Sequence, residues 1–330
     1  MRWTRWRACA LGAVTLAAVA GFGATALRAQ TYPNRPVHLI VPFAAGGSAD
    51  VVARGLAQGL SEAWGHQMVV ENKPGANTQI AAEFVAKSAP DGYTLLLGSE
   101  GTFVMNPFLY GKLPYDPVKD FIPITALVAI NQVLTANPLV PVRTIGDLIA
   151  LAKQNPATLS YGTTGFGSAS HLNMEQLDRM AGIKTVAVHY RGSAPALADV
   201  IAGHVPLTFA SIGLVYEPMR AGLVRLIAVV SPTRFSELPD VPTIAESGLP
   251  GFDGTSWFGL FAPAGTAPEI VAKINADVKK VFGDPAFQER FLRPNVLEPR
   301  VTSPEEFTAA ISRGAEKWGE IIRGAKLKAN

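Results

Sequence analysis

Cysteine is all but missing from this chain: one residue in 330, Cys9, near the start. The preceding Trp6-Arg7-Ala8 does not form a lipoprotein cleavage box. Past that point there is no thiol to form a disulfide or to ligate a metal. A chain of this length can bury a sufficient core without staples, so a cysteine-free chain fits an oxidising compartment. Runs of Lys or Arg are also missing. The sequence holds 29 Lys and Arg against 26 Asp and Glu, but Arg2, Arg5, Arg7 and Arg28 lie in the first 29 residues, which carry no acid. The remainder has 25 basic and 26 acidic side chains, and without a basic stripe nucleic acid is excluded as a partner. No long uncharged apolar run follows residue 29, so that part reads as soluble. No period of 20–50 residues repeats, which excludes a solenoid. There is no G-x-S-x-G elbow and no H-E-x-x-H. His38, His66, His171, His189 and His204 are scattered without metal-ligand spacing, and no two acids form a dyad. Catalytic residues, metal and cofactor are therefore not expected.

The beginning of the chain is informative. After the three early arginines, Ala8 to Leu27 is uncharged and dominated by Ala, Gly, Val and Leu, and small residues close the segment. This is the pattern of a secretory signal peptide, with Ala24-Thr25-Ala26 and Leu27-Arg28-Ala29 as candidate cleavage sites. About 20 apolar residues could also anchor a chain in a bilayer; richness in Ala and Gly favours cleavage and export to the periplasm.

From residue 30 onward, short apolar runs alternate with helical periodicity. Strands are expected at Val37–Phe43, Gln67–Asn72 and Tyr93–Gly98, with helices at Asp50–Ala63 and Gln79–Ser88 between them. A long strand-like run spans Ile124–Ala136. A helix then starts at a Thr144 cap and stops at Asn155-Pro156. Strands at Leu159–Gly162, Thr185–Tyr190, Pro206–Ala210 and Leu226–Val230 alternate with helices at Ser168–Met180 and Ser193–Ala202. Thr255–Ala262 is a further strand, and the chain is helical from Pro268 with a break at Gly283-Asp284-Pro285. Such alternation implies βαβ units, an α/β fold, and parallel strands covered on both faces. The units fall into two sets, residues 30–125 and 130–255, which suits two lobes with a site between them; a single doubly wound sheet is the alternative.

Two strand–glycine–helix turns carry the candidate chemistry. In the first, Phe43-Ala44-Ala45-Gly46-Gly47-Ser48-Ala49-Asp50, the glycines allow positive φ and close approach of a ligand, and Ser48 or Asp50 can cap the helix. Free N–H groups at a helix start make an anion site. The turn lacks the Lys of a phosphate loop and the spacing of a dinucleotide fingerprint, and on its own it equally describes an ordinary capped turn. In the second, Thr163-Thr164-Gly165-Phe166-Gly167-Ser168 opens a helix that carries His171, and its hydroxyls add donors. Position 170 is Ser, which speaks against a cofactor. Ser99, Gly101 and Thr102 follow a strand, where ligands of α/β sheets gather. Arg191 is placed either to meet a carboxylate or to form a structural ion pair. Trp257 and Phe258 read as core or hinge.

Several segments together resemble a known family. They are Tyr32-Pro33-Asn34-Arg35-Pro36, Ile40-Val41-Pro42-Phe43 with Gly46-Gly47 and Asp50, Val70-Glu71-Asn72-Lys73-Pro74-Gly75-Ala76, and Ala89-Pro90-Asp91-Gly92-Tyr93-Thr94. Gly165-x-Gly167-Ser168-x-x-His171, Tyr190-Arg191-Gly192-Ser193, Leu238-Pro239-Asp240-Val241-Pro242-Thr243 and Trp257-Phe258-Gly259-Leu260-Phe261 continue the likeness in order. The chain resembles the Bug family, the substrate-binding proteins of tripartite tricarboxylate transporter systems. The resemblance implies a two-lobe periplasmic-binding-protein (Venus-flytrap) fold, with residues 30–130 and 257–330 in lobe one and 131–256 in lobe two. It implies a small organic carboxylate held by loop Phe43–Asp50 from one side and Thr163–Ser168 from the other, then delivered to a membrane transporter. At Ala210-Ser211 many members place an Asp able to meet an ammonium group, and its absence disfavours an amino-acid ligand. A ligand sensor docking on a signalling receptor, or a secreted enzyme of small carboxylates, are the competing readings. A monomer is expected.

Overall fold

The computed structural model describes residues 32–235, 237–294 and 296–329; the leader read in residues 1–29 lies outside them. From Arg35 onward the chain forms two sheets, six-stranded and five-stranded. The first part runs β1 (Val37–Val41), α1 (Ser48–Trp64), β2 (Met68–Asn72), α2 (Gln79–Ala86), β3 (Thr94–Ser99), α3 (Asn106–Leu109) and β4 (Phe121–Ile130). The chain then crosses at Asn131 into β5 (Gln132–Ala136), α4 (Ile145–Gln154), β6 (Ser160–Thr163), α5 (Ala169–Ala181), β7 (Val186–His189), α6 (Ser193–Ala202), β8 (Leu207–Ser211), α7 (Ile212–Arg220) and β9 (Arg225–Val229). It returns through β10 (Ser256–Pro263) to α8 (Pro268–Gly283), α9 (Pro285–Phe287), β11 (Glu298–Pro299) and α10 (Pro304–Gly324). Strand order is β11-β4-β10-β3-β1-β2 in one sheet and β7-β6-β8-β5-β9 in the other.

Three details differ from the sequence reading. The run Ile124–Ala136 is two strands in two sheets, broken at Asn131 where the chain passes between lobes. A continuous apolar run carries no mark of a change of sheet. The sheets are mixed: β1 pairs in parallel with β2 and β3, but β10 is antiparallel to β3 and β4, and β5 is antiparallel to β8 and β9. A strand that crosses between lobes enters its sheet without a helical crossover, so nothing imposes the parallel direction. Helix α7 went unread because Gly213 and Pro218 argue against it; Pro218 cannot donate to the Leu214 carbonyl, and the helix ends two residues later at Arg220.

Where the local chemistry is clear, the elements form as read. Thr144 Oγ1 accepts from Asp147 N at 3.1 Å while Asp147 Oδ2 accepts from Thr144 N at 3.0 Å, closing a capping box on α4. The core has separate apolar clusters. Leu39, Ile40, Leu95 and Leu96 are fully buried in the first sheet, with Phe261, Phe307 and Trp318 packed from β10 and α10. Leu134, Leu148, Tyr161, Met174 and Phe209 fill the second lobe. Burial of this kind is worth about 25 cal/mol per Å² of apolar surface, and it fixes the carboxyl ends of the strands where the loops begin. Among the described residues no helix is long and apolar enough to cross a membrane.

Candidate functional site

A cleft lies between the lobes, and helix starts from both sides line it. From the first lobe come Gly47 and Ser48 at the start of α1, Thr78 at the start of α2, and Ser99 with Gly101 after β3. From the second come Ser168 at α5, Gly192 and Ser193 at α6, and Ser211 at α7. Gln132, Ser256, Ile130 and the tilted ring pair Phe43–Phe258, 5.8 Å between centroids, complete the wall. Of the five helices, only α5 has a side-chain cap: Ser168 accepts from His171 N. The starts of α1, α2, α6 and α7 have none. First-turn N–H groups there have no intrahelical acceptor, and with the positive ends of five helix dipoles they favour an anion. Among the described residues, no Asp, Glu, Lys, Arg or His lines the cleft.

The lobes are in contact across it. A Cβ on Gly47 would lie 3.7 Å from Ser193 Oγ, and one on Gly167 would meet Leu109 Cδ1 and come within 3.5 Å of Asn77 Nδ2. Within the second lobe, Asn173 Nδ2 donates to Gln132 Oε1 at 2.9 Å, beside the crossing strand.

Beneath the first-lobe wall is a buried polar network. Asn106 Nδ2 donates to Asn77 O at 2.8 Å, and Asn77 Nδ2 donates to Asn106 Oδ1 at 2.7 Å. Thr102 Oγ1 donates to Thr78 Oγ1 at 2.9 Å and lies 3.0 Å from Ser99 Oγ, while Tyr115 OH donates to Thr102 O at 2.6 Å. This network holds Ala76, Asn77 and Thr78 at φ of 44, 47 and 75°, three consecutive non-glycine residues in the left-handed region. Each costs of order 1 kcal/mol or more and persists only where its surroundings dictate it.

With this architecture in view, the family can be stated. The model of the tripartite tricarboxylate transporter family receptor matches residues 52–327. This chain belongs to that family. BugT of Bordetella pertussis (strain Tohama I) is 35% identical over 314 residues, 94% of this chain and 96% of that protein. The R. palustris protein Rpa4515, solved with adipate, matches with a TM-score of 0.87 at 36% identity, covering 90% of this chain and 100% of that one. MatC of Rhodopseudomonas palustris, solved with bound malate, matches with a TM-score of 0.82 at 32% identity, covering 88% and 100%. The two-lobe fold is that of periplasmic binding proteins, and the family is one of transport receptors.

In this receptor the residues singled out from sequence fall into three groups. Phe43, Gly47, Ser48, Ser99 and Ser168 line the cleft. Asp50, Thr102, Thr163, Gly165, Phe166, Gly167 and His171 lie behind that lining and shape it. Asp50 accepts from Gly46 N at 3.1 Å, Arg54 Nε at 2.8 Å and Asn72 Nδ2 at 3.0 Å, bracing the first loop from beneath. Burial works to raise its carboxyl, but the bonds from Arg54, Gly46 and Asn72 prevail and hold it below the ordinary Asp value. His171 Nδ1 accepts from Gly167 N at 2.9 Å, so Nδ1 is the unprotonated nitrogen and the ring buckles the second loop. Thr163 Oγ1 accepts from Gly165 N and lies 2.8 Å from His189 Nδ1. Burial, followed by His171, pushes His189 below its usual value. Ala45, Gly46 and Arg191 are exposed and outside the lining.

The first loop also differs in detail. Gly46 has φ +85°, but Gly47 is extended at φ −88°, so its smallness serves close approach rather than an unusual backbone. The histidines, scattered in sequence, include one pair: His171 and His189 rings stand 5.0 Å apart. Among the described residues no group of three His, Cys, Asp or Glu could hold a metal. Asn77, Thr78, Gln132, Ser193 and Ser256 were missed as lining. Gly192-Ser193 and Ser211 did carry a signal, each being a small residue between a strand and a helix; Gln132 and Ser256 sit in crossing strands, where periodicity says nothing of a cleft.

Proposed function

We propose that this receptor captures a small organic carboxylate between its lobes in the periplasm and presents it, closed, to a membrane transporter. The observation that carries this reading is the convergence of five helix starts on a cleft whose lining, among the described residues, holds no ionisable side chain. Anions are favoured there by fixed dipoles and N–H donors, while an ammonium group finds no acid to meet. The lobes approach closely at two places, where a Cβ added to Gly47 would touch Ser193 and one added to Gly167 would meet Leu109 and Asn77, which suits a ligand with two acceptor ends. The relatives solved with adipate and malate favour a dicarboxylate in the same position. The loop residues Phe43–Asp50 and Thr163–Ser168 act as the two jaws, with Phe43, Gly47, Ser48 and Ser168 at the ligand and Asp50, Thr163 and His171 as supports. From Arg35 onward, lobe one comprises the described residues up to 130 and from 257, and lobe two those of 131–256. The role proposed for the cleft is binding and release rather than chemistry.

A thermal-shift screen of the protein against mono-, di- and tricarboxylates and amino acids tests this. A ligand at a hundredfold excess over its Kd stabilises the folded state by about 2.7 kcal/mol. A shift with one carboxylate class supports the reading. Shifts with amino acids or neutral solutes alone overturn it.

A further inference from the structure

Glu100 is an acid that the binding scheme above does not use. It follows Ser99 at the end of β3 and opens the helical turn Gly101–Met105. The residue is only 5% exposed, and its Oε2 is buried without a hydrogen-bond partner. It nevertheless sits at the floor of the cleft: its neighbours Ser99 and Gly101 line it, and so does Ser256 of β10, whose hydroxyl faces the carboxyl.

The groups around Glu100 are few. From α10, the Trp318 indole and Lys317 face it, and from the segment before β10, Asp253 does. Lys317 is no dedicated counter-ion. Its Nζ donates to Asp253 O at 2.7 Å and lies 3.6 Å from Asp253 Oδ2, so its charge is shared with a second acid. Gly314 completes the enclosure, for a Cβ there would lie 3.3 Å from Glu100 Oε1. A buried carboxylate without a matched cation is driven to its neutral form. Burial is the main cause here, and pushes the carboxyl up to about 7; Trp318, Lys317 and Ser256 pull the other way, and Asp253 adds to the rise.

We propose that Glu100 makes the cleft take up a proton together with its anion: only the neutral acid leaves the floor of the cleft free of negative charge, so an anionic ligand binds the protonated receptor best. The inference rests on the carboxylate reading of the cleft. A carboxylate on Ser99, Gly101 or Ser256 and a charged Glu100 are like charges one side chain apart. The bound anion therefore raises Glu100's hold on its proton, and by reciprocity the proton raises the receptor's hold on the anion. As pH rises past the titration of Glu100, affinity falls by up to tenfold per pH unit. In Glu100→Gln the floor is neutral at every pH.

Calorimetric titration with adipate and with malate, at pH 6.5 and 8.5, in two buffers of different ionisation heat, reads both affinity and protons. The ligand's own titration is common to wild type and Glu100→Gln and cancels between them. The expected result is proton uptake on binding and weaker affinity at pH 8.5 in wild type, with neither in Glu100→Gln, whose affinity at pH 8.5 exceeds that of wild type. Equal pH dependence in both proteins overturns the proposal, as does a wild type whose affinity does not change with pH. A ligand-independent check is the carboxyl infrared band lost in Glu100→Gln. Its titration near neutrality is expected, and titration in the ordinary Glu range overturns the proposal even if neither probe binds. Glu100 titrating near neutrality in a receptor that binds no carboxylate at either pH overturns the cleft reading and the coupling with it.

Discussion

Asn77 and Asn106 hold each other by two hydrogen bonds, each amide donating to the other residue, at 2.7 and 2.8 Å. Asn77 faces the ligand cleft and Asn106 is fully buried. The pair clamps a left-handed stretch that would otherwise relax, and so sets the angle at which α2 presents its start. Asn106→Ala leaves the Asn77 carbonyl without its partner, a loss of about 1–3 kcal/mol. The expected outcome is a folded protein with a lower Tm and ligand affinity reduced about tenfold or more, read by calorimetry. A lower Tm with unchanged affinity would confine Asn106 to a scaffolding role.

Gly167 and Gly47 predict responses of very different size to the same substitution. Gly167 has φ +68°, and any Cβ there collides with Leu109 from the other lobe. Gly167→Ala is expected to prop the cleft open and to cut affinity by two orders of magnitude, with small-angle scattering showing a larger radius in the presence of ligand. Leu109→Ala in the same chain should recover part of the loss. A Cβ on Gly47 makes only an ordinary contact at 3.7 Å, so Gly47→Ala should change affinity severalfold at most.

The stability of the receptor should fall across the acidic-to-neutral range through Glu100. Its folded-state value, about 7, stands above the ordinary 4.5, so the native state binds the proton more tightly than the unfolded chain. The stabilisation is complete below about pH 4.5 and is lost as pH rises to about 7. Glu100→Gln escapes that loss. Urea unfolding at pH 8 should find the variant more stable than wild type by up to about 3 kcal/mol, with the difference gone near pH 4.5. Parallel curves at all pH values would contradict this.

Ser211 lines the cleft at the start of α7, while Ala210 beside it is fully buried in the second lobe. Ser211→Asp places a charge where the wild-type wall has none. Carboxylate affinity is expected to drop at least tenfold at neutral pH. Competition assays should show amino acids gaining relative to their deaminated counterparts; equal losses for both would mean the position does not sort ligands by charge.

Much of this arrangement was legible in the chain itself. Glycine-rich turns after apolar runs marked the starts of α1 and α5, because the residues that free a backbone and cap a helix are few. The α/β alternation followed from periodicity alone. What stayed hidden depends on distant partners. Nothing local to Ala76-Asn77-Thr78 announces three left-handed residues, since Asn106, Thr102 and Tyr115 impose them from up to 39 positions away. The change of sheet at Asn131 is equally silent, both flanking strands being apolar. Asp50 and His171 stand beside the glycine turns in sequence and so resemble ligand contacts; their bonds to Gly46, Arg54, Asn72 and Gly167 direct them inward instead.

A wall built of peptide dipoles and hydroxyls has a consequence for the medium in which this receptor works. Mobile ions screen exposed charges over about 10 Å at 0.1 M salt, but they do little to N–H groups fixed at helix starts inside a closing cleft. Capture should therefore hold its strength as the salinity outside the cell rises and falls.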